Sequence, residues 1–88
     1  MYEVRRFDRV QSWLDDNESD PDACRAMSIW LLAALSGPKE LAHGARRRVG
    51  HGYRLYYAVV PGTDAMVTYS VGDVPVRVIT IVSIIPAP

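Results

Sequence analysis

One cysteine, Cys24, stands among 88 residues, so no disulfide can close within the chain. Lysine is nearly absent too: Lys39 is the sole example, and arginine supplies the remaining positive charge. Ten basic and ten acidic residues cancel, which removes bulk charge as a reason to bind nucleic acid or an anionic surface. The longest apolar run, Ile29 to Leu35, falls far short of the roughly 20 residues that cross a bilayer as a helix. Nor does a basic segment, apolar core and small-residue cleavage site open the chain, so the expected compartment is the cytoplasm. There is no repeat, no low-complexity segment and no linker. What remains is half apolar and a quarter charged, the balance of a chain that buries one core, and a single domain spanning 1–88 is expected.

The cancelling charges are not mixed along the chain. Asp15, Asp16, Glu18, Asp20 and Asp22 follow one another with no base between them. Lys39, Arg46, Arg47, Arg48 and Arg54, with His43 and His51 interspersed, are opposed only by Glu40. An acidic run at a helix–helix corner is ordinarily solvated surface. Three successive arginines ahead of a strand suit phosphate contact, an acidic protein partner or plain solubility.

Periodicity divides the chain into two halves. Tyr2 to Arg6 alternates and is too short for a helix, which predicts a strand with Tyr2 and Val4 inward. From Phe7 the spacing of Val10, Trp13 and Leu14 becomes helical, with Asp8 as cap or first-turn carboxylate, and Asn17 to Ser19 interrupts it. Asp20-Pro21-Asp22 then predicts a helix start with Asp20 as N-cap, and Gly37-Pro38 a stop. Ala23, Met27, Trp30, Leu31 and Ala34 make the inner stripe of this helix; Ile29, Leu32 and Leu35 widen it until it needs cover on more than one side. Lys39 to Gly52 reads as a basic loop with at most a short strand at 45–49. Tyr53 to Val60, Met66 to Val71 and Val76 to Ile85 read as strands, joined by the turns Pro61-Gly62-Thr63-Asp64 and Gly72-Asp73-Val74-Pro75. In the first of these, Tyr53, Leu55, Tyr57 and Val59 are assigned to the core, leaving Arg54 and Tyr56 on an outward working face. The last is apolar on both faces, as a central strand is. The expected fold is therefore α+β, in the order β-α-α-β-β-β, with a helical hairpin packed on a twisted antiparallel sheet.

With that order, the segments Val49-Gly50-His51-Gly52-Tyr53-Arg54-Leu55-Tyr56-Tyr57, Val67-Thr68-Tyr69-Ser70-Val71 and Val76-Arg77-Val78-Ile79-Thr80-Ile81 give a chain that resembles the RelE/ParE superfamily of toxins from type II toxin–antitoxin systems. The resemblance implies a growth-inhibiting component, neutralised by a cognate antitoxin, that acts either as a ribosome-dependent mRNA endonuclease or on DNA gyrase. No cofactor is implied. In the nuclease branch cations stabilise the phosphorane and an acid and base move protons at the 2′-hydroxyl and leaving oxygens. Arg54 and Arg77 would take the cationic positions, with Tyr56 and His51 beside them and Arg46, Arg47 and Arg48 as binding residues. Ser83 to Pro88 carries no Arg, His or Tyr, so the acid/base residue that branch places near its C-terminal end has no counterpart, and the gyrase branch does not need it.

Each of these residues also has an ordinary explanation. Arg54 beside Tyr56 fits a solvated or cation–π pair, and Arg77 the solvent face of an edge strand. Trp13 and Trp30 fit core anchors. Cys24, His43 and His51 match no zinc spacing, so no metal is expected. Outside the toxin reading, the same scaffold would serve as a non-catalytic homodimeric binding module using the Ile29, Leu32 and Leu35 face or the last strand.

Overall fold

The computed structural model describes residues 1–47 and 54–88. Its elements run β1 (Glu3–Arg5), α1 (Phe7–Asp16), α2 (Pro21–Ala34), β2 (Gly44–Arg47), β3 (Arg54–Val59), β4 (Ala65–Gly72) and β5 (Val78–Pro86). The five strands form one sheet in the order β1-β5-β4-β3-β2, and both helices lie on one face of it.

Local chemistry explains the helix boundaries. Arg6 takes the left-handed conformation, φ 62° and ψ 38°, and turns the chain sharply from β1 into α1. No side chain caps α1; Asp8 sits in the first turn and receives both Nε and the terminal guanidinium nitrogen of Arg6 at 3.1 Å. At α2 the expected cap forms, with the Asp20 carboxylate accepting the backbone N–H of Ala23 at 3.1 Å and Pro21 in the first helical turn. The helix ends at Ala34, ahead of Gly37-Pro38.

The sheet corrects the expected antiparallel architecture in one respect. β1 pairs in parallel with β5, bringing Val4 beside Ile79, because the two helices between β1 and the later strands form a long crossover. The short strand allowed within the basic loop forms as β2, antiparallel to β3 along Gly44–Arg47, and brings the sheet to five strands. The remaining pairings are the expected meander. β5 is interior, flanked by β1 and β4, in keeping with its apolar faces. Between Tyr69 paired with Ile81 and Thr68 paired with Ser83 the register shifts, leaving Val82 as the extra residue of a bulge.

The core lies between helices and sheet. Val10, Met27, Trp30 and Ala34 meet Ala58, Val60, Val67, Tyr69, Ile79 and Ile81. Full burial of side chains such as Met27 or Ile79 contributes roughly 1.5–3 kcal/mol each. The alternate residues, Leu55, Tyr57 and Val59 on β3 and Met66, Thr68 and Ser70 on β4, are only partly buried and face away from the helices. The face assignment on β3 is thus the reverse of the expected one. Ala58 and Val60 are fully buried, so Tyr56, which shares their side, lies on the helix-packed face.

Candidate functional site

The end of the sheet where β3 begins, β4 finishes and β5 begins gathers Tyr2, Lys39, Tyr56, Tyr69, Asp73 and Arg77. The connection after α2 is drawn across this end by backbone and side-chain bonds. Tyr2 N–H donates to the Leu35 carbonyl at 2.9 Å, and Tyr69, fully buried on β4, donates its hydroxyl to the Pro38 carbonyl at 2.5 Å. Burial pushes the Tyr69 phenol up to about 12, with the neighbouring Tyr56 and Glu40 acting in the same direction. The Tyr69 ring is edge-on to Trp30, centroids 5.7 Å apart, and stacked on its cross-strand neighbour Tyr56 at 5.9 Å and 22°.

Lys39, delivered by that connection, donates to Asp73 Oδ2 at 2.9 Å, and the Tyr2 hydroxyl donates to Asp73 Oδ1 at 2.5 Å. The Arg77 guanidinium lies over the Tyr2 ring, 5.7 Å from its centroid. The Tyr2 bond, then that from Lys39, holds Asp73 below the usual carboxylate range; the same bonds raise Tyr2 and Lys39. Every shift moves its group further from neutrality. At pH 7 Asp73 is an anion, and Tyr2, Lys39 and Tyr69 are protonated, so none of the four is poised to exchange a proton. Their arrangement fastens β1, the post-α2 connection and the β4–β5 turn together.

The residues expected to carry chemistry are distributed as follows. Arg54 is exposed at the first position of β3. Tyr56 is partly buried in the aromatic stack with Tyr69, a correction of the expected outward position, and the cause is the reversed β3 face. Arg77 is exposed in the β4–β5 connection, one residue before β5, where a strand position was expected. All three lie at the same end of the sheet, yet among the described residues no hydrogen bond joins any of them to another. Arg46 and Arg47 are on β2, in register with Leu55 and Arg54. His51 and Arg48 lie outside the described residues. Among the described residues no three His, Cys, Asp or Glu side chains converge on a metal position. The Cys24 thiol approaches the Asn17 carbonyl at 3.3 Å.

Sequence reasoning missed the Tyr2–Asp73–Lys39 cluster, whose outer members are 71 positions apart. No short-range pattern encodes such a meeting. It also missed the pairing of Gly44 with Tyr57 across β2 and β3, for which a signal existed: a Cβ on Gly44 would stand 2.7 Å from the Tyr57 ring, so the glycine makes room for an aromatic lying over the strand.

The opposite face of the sheet is left uncovered by the helices. Among described residues it is formed by Leu55, Tyr57, Val59, Met66, Thr68, Ser70, Val78, Thr80, Ser83 and Ile85, apolar or hydroxyl-bearing and without a charge in its interior. Glu3 and Arg5 stand at its β1 margin, and Arg46, paired with Leu55, holds a position at its β2 margin. Comparison of the chain with protein-family models, with curated proteins and with solved structures finds no match.

Proposed function

We propose that the protein is the toxin-like component of a type II toxin–antitoxin pair and inhibits growth by binding a protein target such as gyrase, with a cognate antitoxin as its neutralising partner. The observation that carries this reading is the arrangement of a helical hairpin over one face of a sheet whose C-terminal strands form a meander, the design that the RelE/ParE resemblance implies. The choice of protein binding over mRNA cleavage rests on the open sheet face. Its interior is uncharged among the described residues, which suits apolar contact with a protein; the arginines on that face, Arg5 and Arg46, stand at its β1 and β2 edges. Tyr56, needed by the nuclease alternative, is engaged in the aromatic stack, and the titratable groups beside it are held in their neutral-pH forms.

Induced expression of the chain without a partner tests the proposal. Growth arrest with intact mRNA is expected, and the arrest should survive Tyr56→Phe. Arrest accompanied by cleavage of mRNA at ribosomes, abolished by Arg54→Ala or Arg77→Ala, would assign the nuclease branch instead. Unimpaired growth at high soluble yield would overturn the toxin reading altogether.

A further inference from the structure

The outward side of α2 carries a stripe that the core does not use. Asp22, Arg25, Ile29 and Leu32 recur at alternating intervals of three and four, the spacing of a seam that packs against another helix. Ile29 and Leu32, at its centre, are 61% and 67% exposed. An apolar groove flanks this ridge on either side. One, of about 350 Å³, separates it from α1 and is lined by Phe7, Val10, Leu14, Leu31 and Leu35. The other, of about 310 Å³, is lined by Ala26, Trp30, Leu41 and Pro61. The surface therefore offers protruding apolar side chains and the hollows to receive them, which is the shape of a face complementary to itself.

The charges at the two ends of the stripe complete the argument. Arg25 is exposed at one end and makes no ion pair among the described residues. At the other, Glu40 folds its carboxylate over Gly37, so that a Cβ there would stand 2.9 Å from Oε2. That carboxylate adds to the negative end of the helix dipole, and the last turn of α2 has no basic residue to offset either. We infer that α2 is the contact of a two-fold symmetric homodimer in which the helices run antiparallel, Ile29 of one protomer meeting Leu32 of the other, and Arg25 of each reaching the α2 C-terminus and Glu40 of its partner. The antiparallel sense satisfies both charges twice over. A parallel pairing would set Arg25 against Arg25. Centred on a single helix, the contact sits at the small end of specific interfaces, below about 1,200 Å² in total, and dissociates in the micromolar range.

Sedimentation velocity on the full chain, across a series from about 5 to 500 µM, reads this directly and independently of any growth phenotype. A monomer–dimer equilibrium is expected. Leu32→Glu should leave a monomer throughout, with far-UV circular dichroism confirming the fold. Arg25→Glu should weaken the dimer about tenfold, and Arg25→Glu combined with Glu40→Arg should restore it to within about threefold of the parent. Met66→Glu, on the open sheet face, should leave it unchanged. A chain monomeric at 500 µM overturns the inference, as does a dimer broken by Met66→Glu and not by Leu32→Glu. Failure of the charge swap to restore association overturns the antiparallel geometry. A chain that stays monomeric alone, and uses Leu32 only to bind a different polypeptide, overturns the homodimer in favour of that partner.

Discussion

Replacing Tyr69 by Phe isolates the clasp that holds the post-α2 connection against the sheet. The ring would keep its place between Trp30 and Tyr56, and only the hydroxyl that bonds the Pro38 carbonyl is lost. Pro38 is itself fully buried, so its carbonyl would be left without a partner, at a cost of about 1–2 kcal/mol near neutral pH. For a domain of this size each kcal/mol lowers the melting temperature by about 4–8 °C. The pH dependence makes the test sharper. Burial favours the neutral phenol in the folded chain, with a pKa of about 12, whereas an unfolded tyrosine titrates near 10. Between those values the folded state binds more protons than the unfolded state, so the stability that Tyr69 contributes is whole below about pH 10 and falls as pH rises. The loss amounts to about 1.4 kcal/mol at pH 11 and approaches about 3 kcal/mol beyond pH 12. The wild type should therefore be the more stable protein at pH 7, lose its lead near pH 11 and fall behind above it. Urea unfolding followed by tryptophan fluorescence, at steps from pH 7 to 12, measures both proteins. A difference that stays constant or widens with pH would refute the burial argument, and no difference at pH 7 would refute the clasp.

Two further perturbations probe the sheet end and its far edge. Gly44→Ala should lower stability by about 1–2 kcal/mol in urea unfolding, because the new methyl group must displace the Tyr57 ring, and the penalty should shrink when Tyr57 is also Ala. Asp73→Asn should return the Tyr2 phenol, raised chiefly by its bond to Asp73, toward the ordinary tyrosine range in an ultraviolet titration. Because Asp73 is held below the usual carboxylate value, its contribution to stability is present above the unfolded carboxyl pKa and disappears as pH falls through the folded one. The wild type should accordingly lose more stability on acidification than the variant, and equal acid sensitivity would argue against the cluster.

The elements that local chemistry specifies were legible in the residues. Asp20-Pro21-Asp22 announced α2, and the apolar spacing of Met27, Trp30 and Ala34 identified its buried side. The two turn sequences separated β3, β4 and β5. What escaped was set by partners distant in sequence. β1 is three residues long, and nothing in Glu3-Val4-Arg5 says whether its neighbour runs parallel or antiparallel; the two-helix crossover decides that. Arg77 read as a strand residue between valines, yet β5 pairs with β4 only from Val78 onward, opposite Gly72.

The reversed face of β3 has the largest bearing on function. Alternation divides the strand into Leu55, Tyr57 and Val59 on one side and Tyr56, Ala58 and Val60 on the other, two sets of comparable hydrophobicity. Polarity alone favoured placing the side with Arg54 outward. The size of Ala58 carried the opposite message: a small residue in mid-strand lets a helix approach closely, and Ala58 is fully buried in the same cluster as Met27 and Trp30. Once Ala58 faces the helices, Tyr56 must follow it inward, where Tyr69 stacks against it. A tyrosine acting as acid or base has to present its hydroxyl to a substrate held by cations. Arg54 is the first residue of β3 and Arg77 lies one residue before β5, two strands away across β4, and no hydrogen bond among the described residues joins either cation to Tyr56. Binding imposes no such convergence. It requires an accessible surface of matching chemistry, and the outward residues of β3, β4 and β5 supply one that is free of interior charge.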